Sequence, residues 1–520
     1  MSYRCRLQLF QPIQIVAALT LLIITVTLQL IYLPYAEDDA YIHMRIARNL
    51  WQNGRPYYNP LIAVMGSTSP LWILLLAPLS LLGELMPLAV SILNSFIITA
   101  TCITWATIFS STTKTTGSFY WILALLVAWG AMISASLSLM ETPLALLLVG
   151  IAYVALSRKN TLWAIPVTLA VFTRPECLVF AVLFAIHRWR EKRPVSLLEI
   201  TAGVVPLAAF IAFELLLFGS IYPHTAAAKA IVYQITTAEF VKLLSLATFG
   251  SKVSGTILPC SVALITFLLC ILPFTVSSGK SLQAKGTRYP EACIFLLASG
   301  IILTLYGVKH VLVFSWYTPL MMLPFYGAAL WLTLSKSWLI SSLGYLALLP
   351  LTATTALFVA GAFRIEFSPL FESGARAKHL LAIGRELQRS FPGRRIMAPE
   401  IGALGYTYTG EIIDGLGLVT PAALPFHPLA VPLQRPAGYI GAVPSRFAAQ
   451  QDPDIILGLS SFLGELLSSN VAERYTRIIL SPVSMEDLAL LSSGKVFGSD
   501  HIELLIRKDL TPPSEMLNKI

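Results

Sequence analysis

Long apolar runs fill most of the chain up to residue 363, and polar positions return only in short stretches between them. The first run extends from Pro12 to Pro34. A polar, acidic and aromatic stretch, 35–69, follows it. Further apolar runs lie near 70–84, 87–110, 118–137, 143–157, 161–172, 175–187, 197–218, 257–277, 291–308, 312–334 and 338–361. About 20 residues of helix cross ~30 Å of hydrocarbon, so these runs predict membrane helices. After Phe363 charges, prolines and glycines become frequent, which predicts a domain boundary. Beyond it, Ala375–Ser390 is helical in pattern, with Leu380, Leu381, Ile383 and Leu387 apolar. Short apolar runs follow at Arg395–Ala398, Ile412–Ile413, Asp454–Leu457, Arg477–Leu480 and Ile502–Ile506. Strands interleaved with helices predict a small mixed or parallel sheet.

Composition agrees with the pattern. Hydrophobic residues make up 56% of the 520 positions and charged residues 12%, about half the charge of a soluble domain. The net charge is +9, but the basic residues sit in short loops, where they orient a protein in a bilayer. That argues against nucleic acid as a partner. Six cysteines form no CxxC pair, and none follows Cys293, which argues against disulfide staples and a zinc site. The first run is longer than a signal-peptide core and lacks a small-residue cleavage site, so an uncleaved span is expected.

Lys and Arg set the expected topology. Arg4 and Arg6 place the N-terminus in the cytoplasm and 35–69 outside. If 70–84 were a full span, Lys114, Arg158-Lys159 and the cluster Arg188, Arg190, Lys192, Arg193 would all face outward. If it only dips into the membrane, all turn cytoplasmic, as do Lys280, Lys285, Arg288 and Lys336. The expected architecture is therefore a polytopic α-helical membrane protein of about eleven spans with a re-entrant helix at 70–84. Residues 1–363 form the membrane domain, with first outer loop 35–69, and 364–520 an extracytoplasmic α/β domain. Two crossings at 161–172 and 175–187 require short helices beside a cavity, where irregular backbone is tolerated.

The outer loop carries the strongest chemical signal, Glu37-Asp38-Asp39-Ala40-Tyr41-Ile42-His43-Met44-Arg45. From Asp38 its spacing is helical, with Asp38, Ile42, Arg45 and Asn49 on one face. Acids are favoured at a helix start, yet three in a row beside a membrane span are costly and suggest function. Sugar transfer from a phosphate carrier needs a base for the acceptor hydroxyl and cations for the leaving phosphate. Arg45, Arg174 and Lys229 are the candidate cations. Glu141 either pairs structurally with Arg174 or leaves the Arg174 fork for phosphate. His224 lies near Lys229 in sequence. Ser69 is the expected N-cap of a helix with Pro70 at its first position. Tyr57, Tyr58 and Trp72 form either an interfacial belt or a sugar-stacking surface. Two adjacent carboxylates also suit a hard divalent ion, although acid–base use needs no metal. No glycine-rich nucleotide loop is visible.

The pattern Asp38-Asp39-Ala40-Tyr41 … Arg45 … Arg48-Asn49-Leu50 … Gly54 … Tyr58-Asn59-Pro60 … Gly66-Ser67-Thr68-Ser69-Pro70-Leu71-Trp72 resembles the GT-C superfamily of membrane glycosyltransferases. It is similar to bacterial members related to mycobacterial arabinofuranosyltransferases and to protein O-mannosyltransferases. Met140-Glu141-Thr142, Thr173-Arg174-Pro175-Glu176, Tyr222-Pro223 … Lys229 and Gly402-Ala403-Leu404-Gly405-Tyr406 … Asp414 … Gly417-Leu418 extend the likeness. Cys177 departs from it, standing where the family usually has Gly. The resemblance implies inverting transfer from a polyprenyl-phosphate sugar to a glycan, lipid or protein acceptor, at the outer face of a cytoplasmic (inner) membrane. It makes Asp38 the base and Asp39 its support. Glu141, His224, Tyr58, Asn59 and Trp72 are the candidate lining residues. The C-terminal domain would bind acceptor or close the cleft. A transporter or flippase of a lipid-linked sugar is the alternative; paired inverted repeats would favour it, and none is visible in the sequence.

Overall fold

A computed structural model describes residues 12–111, 116–234, 236, 289–333, 341–348, 369–429, 443–489, 496 and 498–513. The run expected at 257–277 and most of 338–361 lie outside these residues. Among the described residues, four helical stretches are long and apolar enough to cross a membrane: Ile13–Tyr35, Pro70–Ser110, Leu197–Phe218 and Glu291–Lys309. A pair bent by 117°, Ala131–Leu137 and Thr142–Ser157, makes five if taken as one broken span. Other expected runs among the described residues fold as short or broken helices. Ala164–Thr173 has 10 residues and Leu178–Arg190 has 13, rising only about 15 and 20 Å. Residues 70–84 begin as a seven-residue helix, Pro70–Leu76, and continue as a tighter 3₁₀ stretch, Ala77–Leu85. That stretch is kinked at Gly83, whose φ of 57° a side chain would resist.

Within 35–69 the chain folds first as the helix Asp38–Asn53, which we call α1. Asp38 and Asp39 occupy its first turn, where the helix dipole favours acids. Gly54 ends it in the left-handed conformation, its N–H bonded to the Leu50 carbonyl. Ser69 stands before Pro70 as expected but supplies no side-chain cap. Instead its own N–H donates to Ser67 Oγ at 3.0 Å.

The C-terminal region holds a five-stranded mixed sheet. Its strands are β1 (Ile396–Ala398), β2 (Ile412–Asp414), β3 (Ile455–Leu459), β4 (Tyr475–Leu480) and β5 (Ile502–Arg507). Their spatial order is β2-β1-β3-β5-β4, with β1 parallel to β2 and β3, and β5 antiparallel to β3 and β4. All five apolar runs expected there are strands. β3 is central and buried throughout, whereas edge strand β4 exposes its middle, the alternation of a half-solvated strand. The expected helical stretch begins earlier than predicted, at Pro369, and also ends at Ser390. It leads into β1, after which a six-residue helix, Gly402–Thr407, starts beside α1. The sheet domain thus docks directly on the acidic loop.

Candidate functional site

Helix α1 presents different chemistry on different faces. On the side toward the sheet domain, every strong polar group is already used. Asp38 is buried, and its two carboxylate oxygens accept the backbone N–H of Gly402 at 2.9 Å and of Ala403 at 2.8 Å. It caps the start of the Gly402–Thr407 helix. The approach is so close that a Cβ on Gly402 would lie 1.8 Å from the Asp38 carbonyl oxygen. Glycine is required there for want of space.

Arg45, expected to bind phosphate, belongs to the same joint. It donates to the carbonyls of Tyr58, Gly405, Tyr408 and Gly410, and to Asn59 Oδ1. Its guanidinium is saturated and lies 4.4 Å over the Tyr58 ring. Tyr58 donates to the Ile401 carbonyl, and Asn59 donates to that of Ile412. Tyr58 and Asn59, expected to line a sugar site, therefore tie the loop to the sheet domain. Trp72 is buried in the core and forms no stacking surface.

The joint also concentrates acid. Glu37 accepts from the Ser373 hydroxyl at 2.5 Å, and Glu400 pairs with Arg376 at 2.7 Å. Burial pushes both Glu37 and Glu400 up to about 7, outweighing the pull of Ser373 and Arg376 on Glu37 and of Arg376 on Glu400. Burial also raises Asp38 above the usual carboxylate range, against the two N–H groups and Arg376.

Asp39, one residue on, points elsewhere. It lines an open cavity of about 410 Å³ with His43, Ser67, Thr68, Glu141, Thr225, Lys229 and Tyr317, and Leu418 of the sheet domain. Lys229 Nζ lies 3.5 Å from Asp39 Oδ2 and 3.4 Å from the Tyr317 hydroxyl. Burial pulls Lys229 down, but Tyr317 and Asp39 outweigh it and hold the ammonium above its ordinary value. Burial lowers His43, with Glu141 opposing it, so the ring stays neutral near pH 7.

Glu141 and Arg174 sit at breaks between apolar helices, where backbone groups and side chains can line a cavity inside a membrane fold. Arg174 Nη1 reaches Glu141 Oε1 at 2.7 Å and Nη2 reaches Glu176 Oε1 at 2.8 Å, with its guanidinium 3.8 Å over the Tyr317 ring. Tyr306 donates to Glu176. This is the structural ion pair, extended by a second acid, and it leaves no free fork for phosphate. The other Glu141 oxygen, Oε2, lies 3.8 Å from His43 Nδ1 and has no hydrogen-bond partner among the described residues. His224 lies just outside the cavity, in contact with the Gly417 carbonyl at 2.9 Å. That contact helps hold the loop carrying Leu418.

Asp39, Lys229 and Glu141 thus come together, while Asp38, Arg45, Tyr58, Asn59, Trp72 and Arg174 do structural work. His43 and Tyr317 were missed as site residues. His43 follows Asp39 by one helical turn, a spacing that would have placed it on the same face. Tyr317 stands with Lys309, His310 and Trp316 near an expected outward helix end, but nothing local tied it to Asp39. Asp38 and Asp39 do not form a two-carboxylate cation site, since one faces backbone N–H groups and the other Lys229. Among the described residues no group of His, Cys, Asp and Glu is arranged to hold a metal ion.

A family model described as a domain of unknown function, DUF8728, matches residues 370–497. The match covers most of the sheet domain and none of the cavity's membrane helices. No curated protein and no solved structure matches the chain.

Proposed function

We propose that this protein is a membrane glycosyltransferase that moves a sugar, with inversion, from a polyprenyl-phosphate carrier to a hydroxyl acceptor. Asp39 is its base, in place of Asp38. One observation carries the proposal: a single cavity beside the apolar helices gathers the Asp39 carboxylate, the Lys229 ammonium and the His43 imidazole, with buried Glu141 at a helix break on its wall. Ionisable groups buried at such a break are costly and mark function.

The chemistry follows from that set. In the empty cavity Lys229 neutralises Asp39. A bound phosphate competes for the ammonium and leaves the carboxylate free to accept a proton. The acceptor hydroxyl gives its proton to Asp39 while its oxygen bonds to the anomeric carbon. The bond from that carbon to the phosphate oxygen breaks, and the carrier phosphate leaves with the electron pair, held by Lys229. Arg174 positions Glu141 through their ion pair, and Glu141 in turn faces His43. The sheet domain closes one side of the cavity through Leu418.

In the same proposal the membrane domain crosses about eleven times, 70–84 is re-entrant, and the cavity opens at the outer face of a cytoplasmic membrane. A reporter fused after Ser111 then reads cytoplasmic; an external signal would make 70–84 part of a true span. The activity is tested with purified protein, a panel of polyprenyl-phosphate sugars and cell-envelope acceptors. Transfer by the wild type that persists undiminished in Asp39→Asn would remove Asp39 as the base. No transfer from any donor in the panel would remove the transferase assignment.

A further inference from the structure

A second pocket, open at one side, lies where one end of Leu197–Phe218 meets Pro70–Leu76. Its wall is largely apolar, including Leu50, Ile73, Leu74, Phe213 and Phe218. One ionisable side chain lines it, Glu214. Glu214 is 1% exposed, and its Oε2 has no hydrogen-bond partner among the described residues. It stands one turn from the helix end at Phe218 and lines the cavity wall.

Leaving a buried polar group unmatched is costly, so a ligand that matches it gains that contribution. The helix bearing Glu214 is peripheral, only 11% of its apolar window being buried. Leu215 and Leu216, next in sequence, are 49% and 85% exposed, so lipid lies alongside. The cavity also shares two wall residues, Gly66 and Ser67, with the Asp39–Lys229 cavity. An apolar slot beside lipid, one unmatched carboxyl and a common wall with the reactive cavity fit one class of molecule.

We propose that this second cavity binds a hydroxylated amphiphile, such as a sugar on an apolar chain, as the acceptor of the transfer proposed above. The chain lies among Ile73, Leu74, Phe213 and Phe218. A head-group hydroxyl bonds to Glu214, and the rest of the head passes Ser67 toward Asp39. A hydroxyl both donates and accepts, so it matches the carboxyl in either protonation state.

The probe is decyl β-D-glucoside carrying a diazirine at the chain end. It is applied below its micellar concentration to the full chain in lipid nanodiscs, and labelled peptides are mapped by mass spectrometry. Labelling is expected to concentrate at 213–218 and 73–74. Unmodified decyl glucoside competes with it, and neither glucose nor hydroxyl-free dodecane does. Glu214→Leu cuts the labelling about tenfold, the loss of one good hydrogen bond, and Glu214→Gln keeps most of it. If Glu214→Leu does not fold, Leu74→Trp, which fills the slot from a half-exposed position, serves instead and also abolishes labelling. Label spread over all lipid-facing helices, or equal competition by dodecane, overturns the proposal. The labelling needs no sugar donor. Specific labelling of a protein that transfers nothing would keep the binding site and sink the transferase assignment, whereas transfer with scattered labelling would do the reverse.

Discussion

Asp38 and Asp39 are adjacent on one helix and have the same side chain, yet they lie in two different regions. At the joint with the sheet domain, hydrogen bonds are saturated: Asp38 holds two N–H groups, and Arg45 holds four carbonyls and an amide oxygen. In the cavity the groups are under-matched. Asp39 has a 3.5 Å contact to Lys229, and Glu141 Oε2 and His43 Nδ1 lack hydrogen-bond partners among the described residues. A saturated polar group has little left to offer a substrate, and displacing its partners costs stability. Under-matched groups are the ones that can change partners during a reaction. The comparison therefore assigns structural and chemical roles that residue type alone cannot separate.

The sharpest way to break this comparison is to exchange the two acids' fates. Asp39→Asn is expected to lower transfer about 100- to 10,000-fold, the usual range for losing a general base, with little change in melting temperature. Asp38→Asn is expected to lower the melting temperature, because the amide accepts only one of the two N–H groups and leaves the other unmatched, costing about 1–3 kcal/mol, with transfer falling only as folded protein falls. The reverse pattern in paired activity and melting measurements would restore Asp38 as the base.

Arg45→Lys tests the joint next. Lysine cannot reproduce a planar fork to several carbonyls, so stability should fall by about 3 kcal/mol. A loss confined to the donor KM, with unchanged thermal unfolding, would show Arg45 binding phosphate after all.

Lys229→Met sharpens the cavity side. Removing one charge-assisted contact to phosphate costs about 1.5–3 kcal/mol, or roughly 10- to 150-fold in kcat/KM, and Lys229→Arg should recover part of it. Equal kcat/KM in Lys229→Met would leave the leaving phosphate without its assigned cation.

The smallest expected effect is in pH. Glu37 and Glu400 lie at about 7 in the folded protein, above an ordinary value of 4.5. Between those values the folded state binds more protons than the unfolded one, so stability falls as pH rises. The contribution is complete below about 4.5 and gone above about 7. Melting temperature should therefore drop between about pH 5 and 7, and Glu37→Gln with Glu400→Gln should flatten that drop. A slope unchanged in the double variant would place the titrating groups elsewhere.

Much of this architecture was legible in residue patterns. Four of the apolar stretches among the described residues are helices long and apolar enough to cross a membrane, and all five short apolar runs expected after Phe363 are strands. Helix α1 was legible from spacing, and its Gly54 cap fits that pattern. The outer loop, Lys229 and Glu141 were legible as site candidates because charge beside apolar runs is expensive. The roles of Asp38, Arg45, Tyr58 and Asn59 were not, because their partners lie more than 300 residues away in the sheet domain. Arg174 could be read either as a phosphate fork or as Glu141's partner, and its geometry chose the second.

The sequence by itself determined where long apolar runs lie, where charged and polar positions return, and that acids gather on the first polar stretch. These are properties of local composition, and hydrophobic periodicity carries them whatever the rest of the chain does. Only the tertiary structure decided which of two neighbouring aspartates is free. That choice depends on Gly402 lacking a side chain, on where the Gly402–Thr407 helix begins, and on Lys229 lying opposite the other face of α1. Adjacent positions on a helix point about 100° apart, so a single docking contact consumes one acid and leaves the next facing the cavity.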